Sequence, residues 1–182
     1  MGSGTTLVEA KLLNRNAVGI DINPQSVSFS EINLQFQCET KSKIYLRNAD
    51  ATDLSFIKDD GIDFICMHPP YANIIKYSQN INGDISLLDV EEFILKMKMV
   101  AKESYRVLKK GKYCAFMIGD IRKHSCIVPL GFRSMECFLN AGFFNKEIII
   151  KEQHNCRSTD YWKGQYKDFL LLAHEYIFVL KK

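Results

Sequence analysis

Ile62-Asp-Phe-Ile-Cys-Met-His-Pro-Pro-Tyr71 begins with six residues of strand character and stops at two consecutive prolines. Proline lacks an N–H and has a fixed φ, so the strand ends at Met67 and the turn after it is stiff. A short apolar strand bounded in this way suits the interior of a parallel sheet, provided helices alternate with strands around it. Upstream, Ala17–Asp21 and Lys43–Asp50 read as strands. Thr5–Asn14 reads as a helix from the spacing of Leu7, Ala10 and Leu13, and Asn23-Pro24 starts another, since Asn caps and Pro suits the first helical position. Downstream of a polar loop (residues 80–89), Val90, Phe93, Met97, Val100, Ala101, Ser104 and Leu108 mark one face of a long helix that ends at Lys109-Lys110-Gly111. Lys112–Gly119 is the next strand, and Pro129–Asn140 is a helix closed by Gly142. This alternation predicts an α/β fold on a parallel sheet. Lys146–Lys151 and Phe169–Leu180 are strands with little between them to make a helix, so they are expected as an antiparallel hairpin on an otherwise parallel sheet.

The chain has 182 residues, with 47% hydrophobic and 25% charged side chains. That is enough for one domain with a real core, and residues 1–182 are read as that domain, without repeat or linker. Disordered, collagen-like and disulfide-miniprotein classes are excluded by composition. No apolar run reaches the roughly 20 residues of a bilayer-spanning helix, and the start lacks a leader pattern, so a cytoplasmic protein with no membrane partner is expected. Six cysteines lie far apart without a C-x-x-C pair. They are read as reduced, mostly buried thiols, with no metal site. Charge is uneven: residues 1–95 carry 7 basic and 13 acidic side chains, whereas 96–182 carry 17 and 8. A basic half can face a polyanion. Lys96, Lys98, Lys102, Lys109, Lys110 and Lys112 also read simply as the solvated face and end of one helix.

Three features carry chemistry. Gly2-Ser3-Gly4 opens a helix, and Asp21 closes the next strand a little short of the roughly 20-residue spacing of a ribose-binding carboxylate. Asp50, at the following strand end, can meet an adenine amino group, so the two acids suggest an adenosine-containing ligand. Finally, the prolines after Met67 aim the His68 side chain and a main-chain carbonyl toward one space, with Tyr71 offering a ring to a planar substrate. Ile75-Lys-Tyr77-Ser78 follows.

At these residues the chain resembles the amino-group DNA methyltransferases, S-adenosylmethionine-dependent enzymes that methylate N6 of adenine or N4 of cytosine. Gly2-Ser-Gly-Thr-Thr-Leu-Val-Glu-Ala10 resembles the second part of the family's Asp-Pro-Phe-x-Gly-Ser-Gly-Thr-Thr cofactor loop. His68-Pro-Pro-Tyr71 resembles its (Asp/Asn/Ser)-Pro-Pro-(Tyr/Phe) catalytic loop, Gly119-Asp120-Ile-Arg122 its later strand end, and His174–Lys182 its closing strand. The resemblance implies a Rossmann-like methyltransferase fold, mostly parallel with a C-terminal antiparallel hairpin and the first strand missing. It further implies that S-adenosylmethionine is held by Gly2, Ser3, Gly4, Thr5, Thr6, Asp21 and Asp50. Catalysis is assigned by the same resemblance to His68, Pro69, Pro70 and Tyr71: His68 and the Pro69 carbonyl accept the two amino hydrogens while Tyr71 stacks on the base.

The catalytic loop departs from the family at His68, where neutral imidazole offers one acceptor nitrogen. The chain also starts inside the cofactor loop, so an N-terminally truncated catalytic domain is expected, with another chain as a possible source of the missing segment. DNA is the expected partner, with Arg122, Lys123, Arg157 and Trp162 as candidate contacts, and restriction-modification as the expected setting. The alternatives are a catalytically incompetent remnant that binds DNA or a partner, and an RNA or protein amino-group methyltransferase.

Overall fold

The computed structural model describes residues 1–153 and 169–182. In chain order the elements are α1 (Thr5–Leu12), β1 (Ala17–Asp21), α2 (Pro24–Asn33), β2 (Ile44–Asn48), β3 (Ile62–Met67), α3 (Val90–Val107), β4 (Leu108–Ile118), β5 (Ile121–Lys123), β6 (Cys126–Val128), α4 (Leu130–Asn140), β7 (Phe144–Glu152) and β8 (His174–Lys181). Two short 3₁₀ turns, Ala72–Ile74 and Ile85–Leu87, fill the connection from β3 to α3. The alternation read from sequence is present, and β1 and β3 have the predicted bounds.

The helices start where their capping chemistry dictates. Asn23 accepts the Gln25 N–H with Pro24 in the first turn of α2. α3 opens on a reciprocal capping box between Asp89 and Glu92. Pro129 gives α4 no side-chain cap, and Asp120 substitutes from a distance by accepting the Gly131 N–H at 2.9 Å.

The expected C-terminal antiparallel hairpin is present as β7–β8, and it makes the larger sheet mixed. Among the described residues, β1 and β2 form a parallel pair, and a separate four-stranded sheet has the order β3-β4-β8-β7. Only β3–β4 is parallel within it; β8 runs antiparallel to both β4 and β7. The near-continuous apolar run Tyr176–Leu180 is suited to a central place, and β8 takes it, with Tyr176, Phe178 and Leu180 buried. A small antiparallel ladder, β5–β6, was not anticipated; it closes on His124 and Ser125, both with positive φ.

The Lys-Lys-Gly helix end also shifts. α3 stops at Val107, and the register from Ile62↔Leu108 to Phe64↔Tyr113 makes residues 109–112 a bulge in β4, with Gly111 at φ +77°. Lys109 and Lys112 reach back to Asp63 at 2.9 and 3.7 Å rather than extending a helix face.

The core lies between the four-stranded sheet and α3 and α4. Phe93, Met97 and Ala101 from α3, Leu130 and Phe138 from α4, and Phe116, Ile118, Phe178 and Leu180 from the sheet are all fully buried. The rings of Phe116 and Phe138 stack at 4.7 Å. Of the described cysteines only Cys114 and Cys137 are buried, which corrects the expectation of mostly buried thiols. Cys66 lies on the exposed side of β3, and Cys126 sits on the small β5–β6 ladder outside the core. No helix among the described residues is long and apolar enough to cross a membrane, and no cluster of three His, Cys, Asp or Glu among them could hold a metal ion.

Candidate active site

β3 and β4 are parallel, and β8 runs against β4 and β7, so one edge of the four-stranded sheet collects the ends of β3, β4 and β7 and the start of β8. His68 follows β3, Gly119 and Asp120 follow β4, Lys151 lies near the end of β7, and Glu175 lies near the start of β8. Residues distant in sequence are therefore brought together by topology.

Tyr71 is the centre of this group. Its hydroxyl donates to Oε1 of buried Glu175, and its oxygen lies 2.9 Å from His68 Nε2. Lys151 Nζ donates to Glu175 Oε2 at 2.6 Å, and Lys151 and Glu175 are register partners across β7 and β8. Gly119 admits the Tyr71 ring: a Cβ there would stand 3.0 Å from Tyr71 Cε2. Burial, and then the Glu175 carboxylate, push the Tyr71 phenol far above its usual range, so it stays protonated. Burial of Glu175 favours its neutral form, but hydrogen bonds from Lys151 and Tyr71 outweigh that and hold it below the usual carboxylate range. His68 stays half exposed, and burial of its remainder lowers its pKa against the opposing pull of Glu175.

The sequence-predicted catalytic residues His68, Pro69, Pro70 and Tyr71 thus lie together at the sheet edge. Glu175 and Lys151 were not anticipated as part of this site. A signal for them exists in the sequence: a glutamate entering an apolar strand and a lysine closing Ile148-Ile-Ile150 imply a paired, partly buried charge. Immediately beyond the loop, Lys76, Tyr77, Ser78, Gln79 and Leu87 line an open hollow of about 530 Å³.

The second group lies on the β1–β2 pair. Gly4 caps α1 at φ +82°, a left-handed conformation that favours glycine, and a Cβ there would strike Ser30 Oγ at 2.6 Å. Gly2 donates its N–H to Asp21 Oδ2 at 3.1 Å, and Asn23 donates to Asp21 Oδ1 at 2.9 Å. Asp21 is consequently ionised below the usual range: its burial opposes this, while hydrogen bonds from the Met1 ammonium, Asn23 and Gly2 prevail. Ser3 is tied by its carbonyl to Asn33, and Thr5 and Thr6 lie exposed in the first turn of α1. Asp50 accepts the Thr52 N–H through Oδ1. Its Oδ2 would be 3.1 Å from a Cβ at Gly83, and that Cβ would also meet Ile22 Cδ1 at 2.8 Å. Gly83, at φ +86°, therefore packs directly against Ile22 and Asp50, where a side chain would not fit.

The nucleic-acid candidates fare unevenly. Arg122 already donates to the Ser125 and Leu170 carbonyls at 2.6 and 2.8 Å and lies over the Phe169 ring, so its guanidinium is committed to holding the β5–β6 turn. Lys123 is exposed beside it. Arg157 and Trp162 lie outside the described residues.

The DNA methylase family of N6 and N4 amino-methyltransferases matches residues 62–182, a stretch that holds the His68-Pro-Pro-Tyr71 loop and both of its charged supports. The chain belongs to this family. Among solved structures, a SAM-dependent methyltransferase of Methanosarcina mazei aligns with 100% of this chain and 88% of its own at 16% identity, with a TM-score of 0.65. A proposed DNA modification methylase of Thermus thermophilus, complexed with S-adenosyl-L-methionine, aligns at 23% identity over 74% of this chain and 53% of its own, with a TM-score of 0.55. The cytosine-N4-specific PvuII DNA methyltransferase aligns at 17% identity over 73% of this chain and 47% of its own, with a TM-score of 0.57. The chain thus spans about half the length of the two DNA methylases it matches. At these identities the likeness shows an α/β methyltransferase fold. Comparison with curated proteins gave no match.

Proposed function

We propose that the chain is the catalytic core of a DNA methyltransferase that moves a methyl group from S-adenosylmethionine to an exocyclic amino nitrogen, N6 of adenine or N4 of cytosine. The observation that carries this reading is the His68-Pro-Pro-Tyr71 loop, held at the sheet edge by Glu175 within the stretch that matches the family. Asp21 would take the ribose hydroxyls, Asp50 the adenine amino group, and the Gly2–Thr6 turn the rest of the cofactor. S-adenosylmethionine supplies an activated methyl group on a sulfonium.

An exocyclic amino nitrogen is a weak nucleophile because its lone pair is delocalised into the ring. Two acceptors that hold both amino hydrogens let the nitrogen pyramidalise and free that lone pair. In this reading the acceptors are His68 and the Pro69 carbonyl, and Tyr71 stacks on the base with its ring anchored through the hydroxyl. The chain's contribution is positioning and electrostatics. A base inside a duplex must first be extruded, at a cost of a few kcal/mol, which stacking on Tyr71 would partly offset.

Lys123 is the remaining described candidate for a phosphate contact. β1 and β3 each keep an unpaired edge among the described residues, with Val18 and Phe64 exposed. Those edges support a further strand joining the two sheets, from another segment or a partner chain. The test is transfer of labelled methyl from S-adenosylmethionine to duplex DNA, followed by nucleoside mass spectrometry. N6-methyladenine or N4-methylcytosine that disappears in His68→Ala and is reduced in Tyr71→Ala is expected. Label in RNA or protein but not in DNA would overturn the reading, as would a cofactor-binding chain that methylates nothing.

A further inference from the structure

We infer that Glu175 is a positioning residue that fixes His68 in the Nε2–H tautomer and so leaves Nδ1 as the acceptor nitrogen of the ring. The placement of each proton follows from counting donors and acceptors. Glu175 is buried, and Oε2 receives the Lys151 ammonium at 2.6 Å. Its carboxylate is ionised, so Oε1 can only accept. Tyr71 has one hydroxyl proton, and it is committed to Oε1. The phenol oxygen, 2.9 Å from His68 Nε2, can therefore only accept from that nitrogen. A neutral imidazole with its proton on Nε2 carries a lone pair on Nδ1, and no described residue bonds Nδ1.

The charges around the ring keep it neutral. Glu175, 4.0 Å from Nε2, favours protonation, while burial, Lys151 and the Met1 ammonium oppose it and prevail. The loop histidine is thereby given the polarity that an acceptor for an amino hydrogen needs. Use of that acceptor rests on the function proposed above; the tautomer itself does not.

The relay makes a specific prediction for Glu175→Gln. Lysine has donors and no acceptor, so the amide oxygen of the variant turns to Lys151 and its NH₂ turns to Tyr71. The phenol then accepts from the amide and donates to His68 Nε2, which forces the ring proton onto Nδ1. One carboxylate-to-amide change reverses the hydrogen bonds from Tyr71 to His68 and turns Nδ1 from acceptor to donor.

Long-range ¹H–¹⁵N correlation on ¹⁵N-histidine-labelled protein at neutral pH reads this directly, with the His68 signals assigned by their loss in His68→Gln. The expected result is Nε2–H in the wild type and Nδ1–H in Glu175→Gln. Tyr71→Phe leaves the Glu175–Lys151 pair in place and should give a mixture of tautomers, which keeps the test decisive if Glu175→Gln does not fold. Nδ1–H in the wild type, an unswitched tautomer in folded Glu175→Gln, or pure Nε2–H in Tyr71→Phe would each overturn the relay. In the methyl-transfer assay, Glu175→Gln should lose activity about 100- to 1,000-fold, the scale of removing one transition-state hydrogen-bonding group. A switched tautomer with undiminished transfer would instead remove His68 as the substrate acceptor, which is a failure of the proposed function and leaves the relay standing.

Discussion

The two ends of the molecule are built to different densities. Around the four-stranded sheet, large hydrophobic side chains from α3, α4, β4 and β8 have essentially no exposed surface, among them Phe93, Phe116, Phe138 and Phe178. Around β1 and β2, the buried hydrophobics up to residue 54 are Leu7, Val27 and Leu54, while Phe29, Ile32 and Tyr45 are largely exposed. The proposed catalytic loop is attached to the dense half and the proposed cofactor acids to the thin one. A group that must hold two amino hydrogens needs sub-ångström placement, and a packed sheet with a buried ion pair supplies it. A cofactor-binding half can be looser, since ligand binding itself stabilises the folded state.

Phe116→Ala should break this contrast most severely. Its ring packs against Phe138 at 4.7 Å and Phe178 at 5.1 Å. Truncation should cost about 3–5 kcal/mol in denaturant unfolding, and it should take methyl transfer with it. Leu7→Ala, the matching cut in the thin half, should cost about 2 kcal/mol, the low end for leucine truncation, because partly exposed surroundings can close on the gap. Amide exchange should separate the two variants: Leu7→Ala should speed exchange in β1 and β2 while leaving β4 and β8 protected. Equal loss of protection in both sheets would mean that the halves unfold as one.

At the site, Tyr71→Ala should lower transfer at every pH by about 1–3 kcal/mol, the range of a lost base stack. Measurement of kcat and KM across the pH range checks the uniformity of that loss.

The smallest effect is on pH dependence. Burial is the largest influence on His68 and lowers its pKa; Lys151 and the Met1 ammonium add to this, and Glu175 opposes it. Above the pKa the ring is neutral and Nδ1 accepts; below it both nitrogens donate. Wild-type transfer should therefore be flat above the ordinary histidine value of roughly 6.5 and fall only at lower pH. His68→Asn should remove that acid limb. The unfolded chain binds this proton first, so His68 also costs stability only as pH falls below about 6.5. A single-turnover profile that declines above neutrality would contradict the depressed pKa.

Much of the architecture was legible because it depends on local rules. Pro69-Pro70 stops β3, Asn23-Pro24 starts α2, and the spacing from Val90 to Ser104 marks α3. The misread boundary at Lys109-Lys110-Gly111 has a local cause too, since a glycine at positive φ serves a strand bulge as well as a helix end. Strand order was legible only in part. The short connection pairs β7 with β8 as an antiparallel hairpin, but nothing in the apolar run of β8 says that β4 is its other neighbour. Arg122 looked like a phosphate contact because a guanidinium suits one. In the fold the same donors meet the Ser125 and Leu170 carbonyls.

The residues alone indicate an α/β chain with acids at successive strand ends and a His68-Pro-Pro-Tyr71 loop that resembles the catalytic loop of the amino-methylases. Periodicity, capping and proline chemistry act over a few residues and are written in the order of the chain. Only the tertiary structure decided that β8 lies between β4 and β7, and hence that Glu175, 104 positions after Tyr71, receives its hydroxyl while Lys151 neutralises the carboxylate. Which nitrogen of His68 is free to accept depends on that meeting, because a tautomer is set by the partner across the hydrogen bond and not by the residue itself.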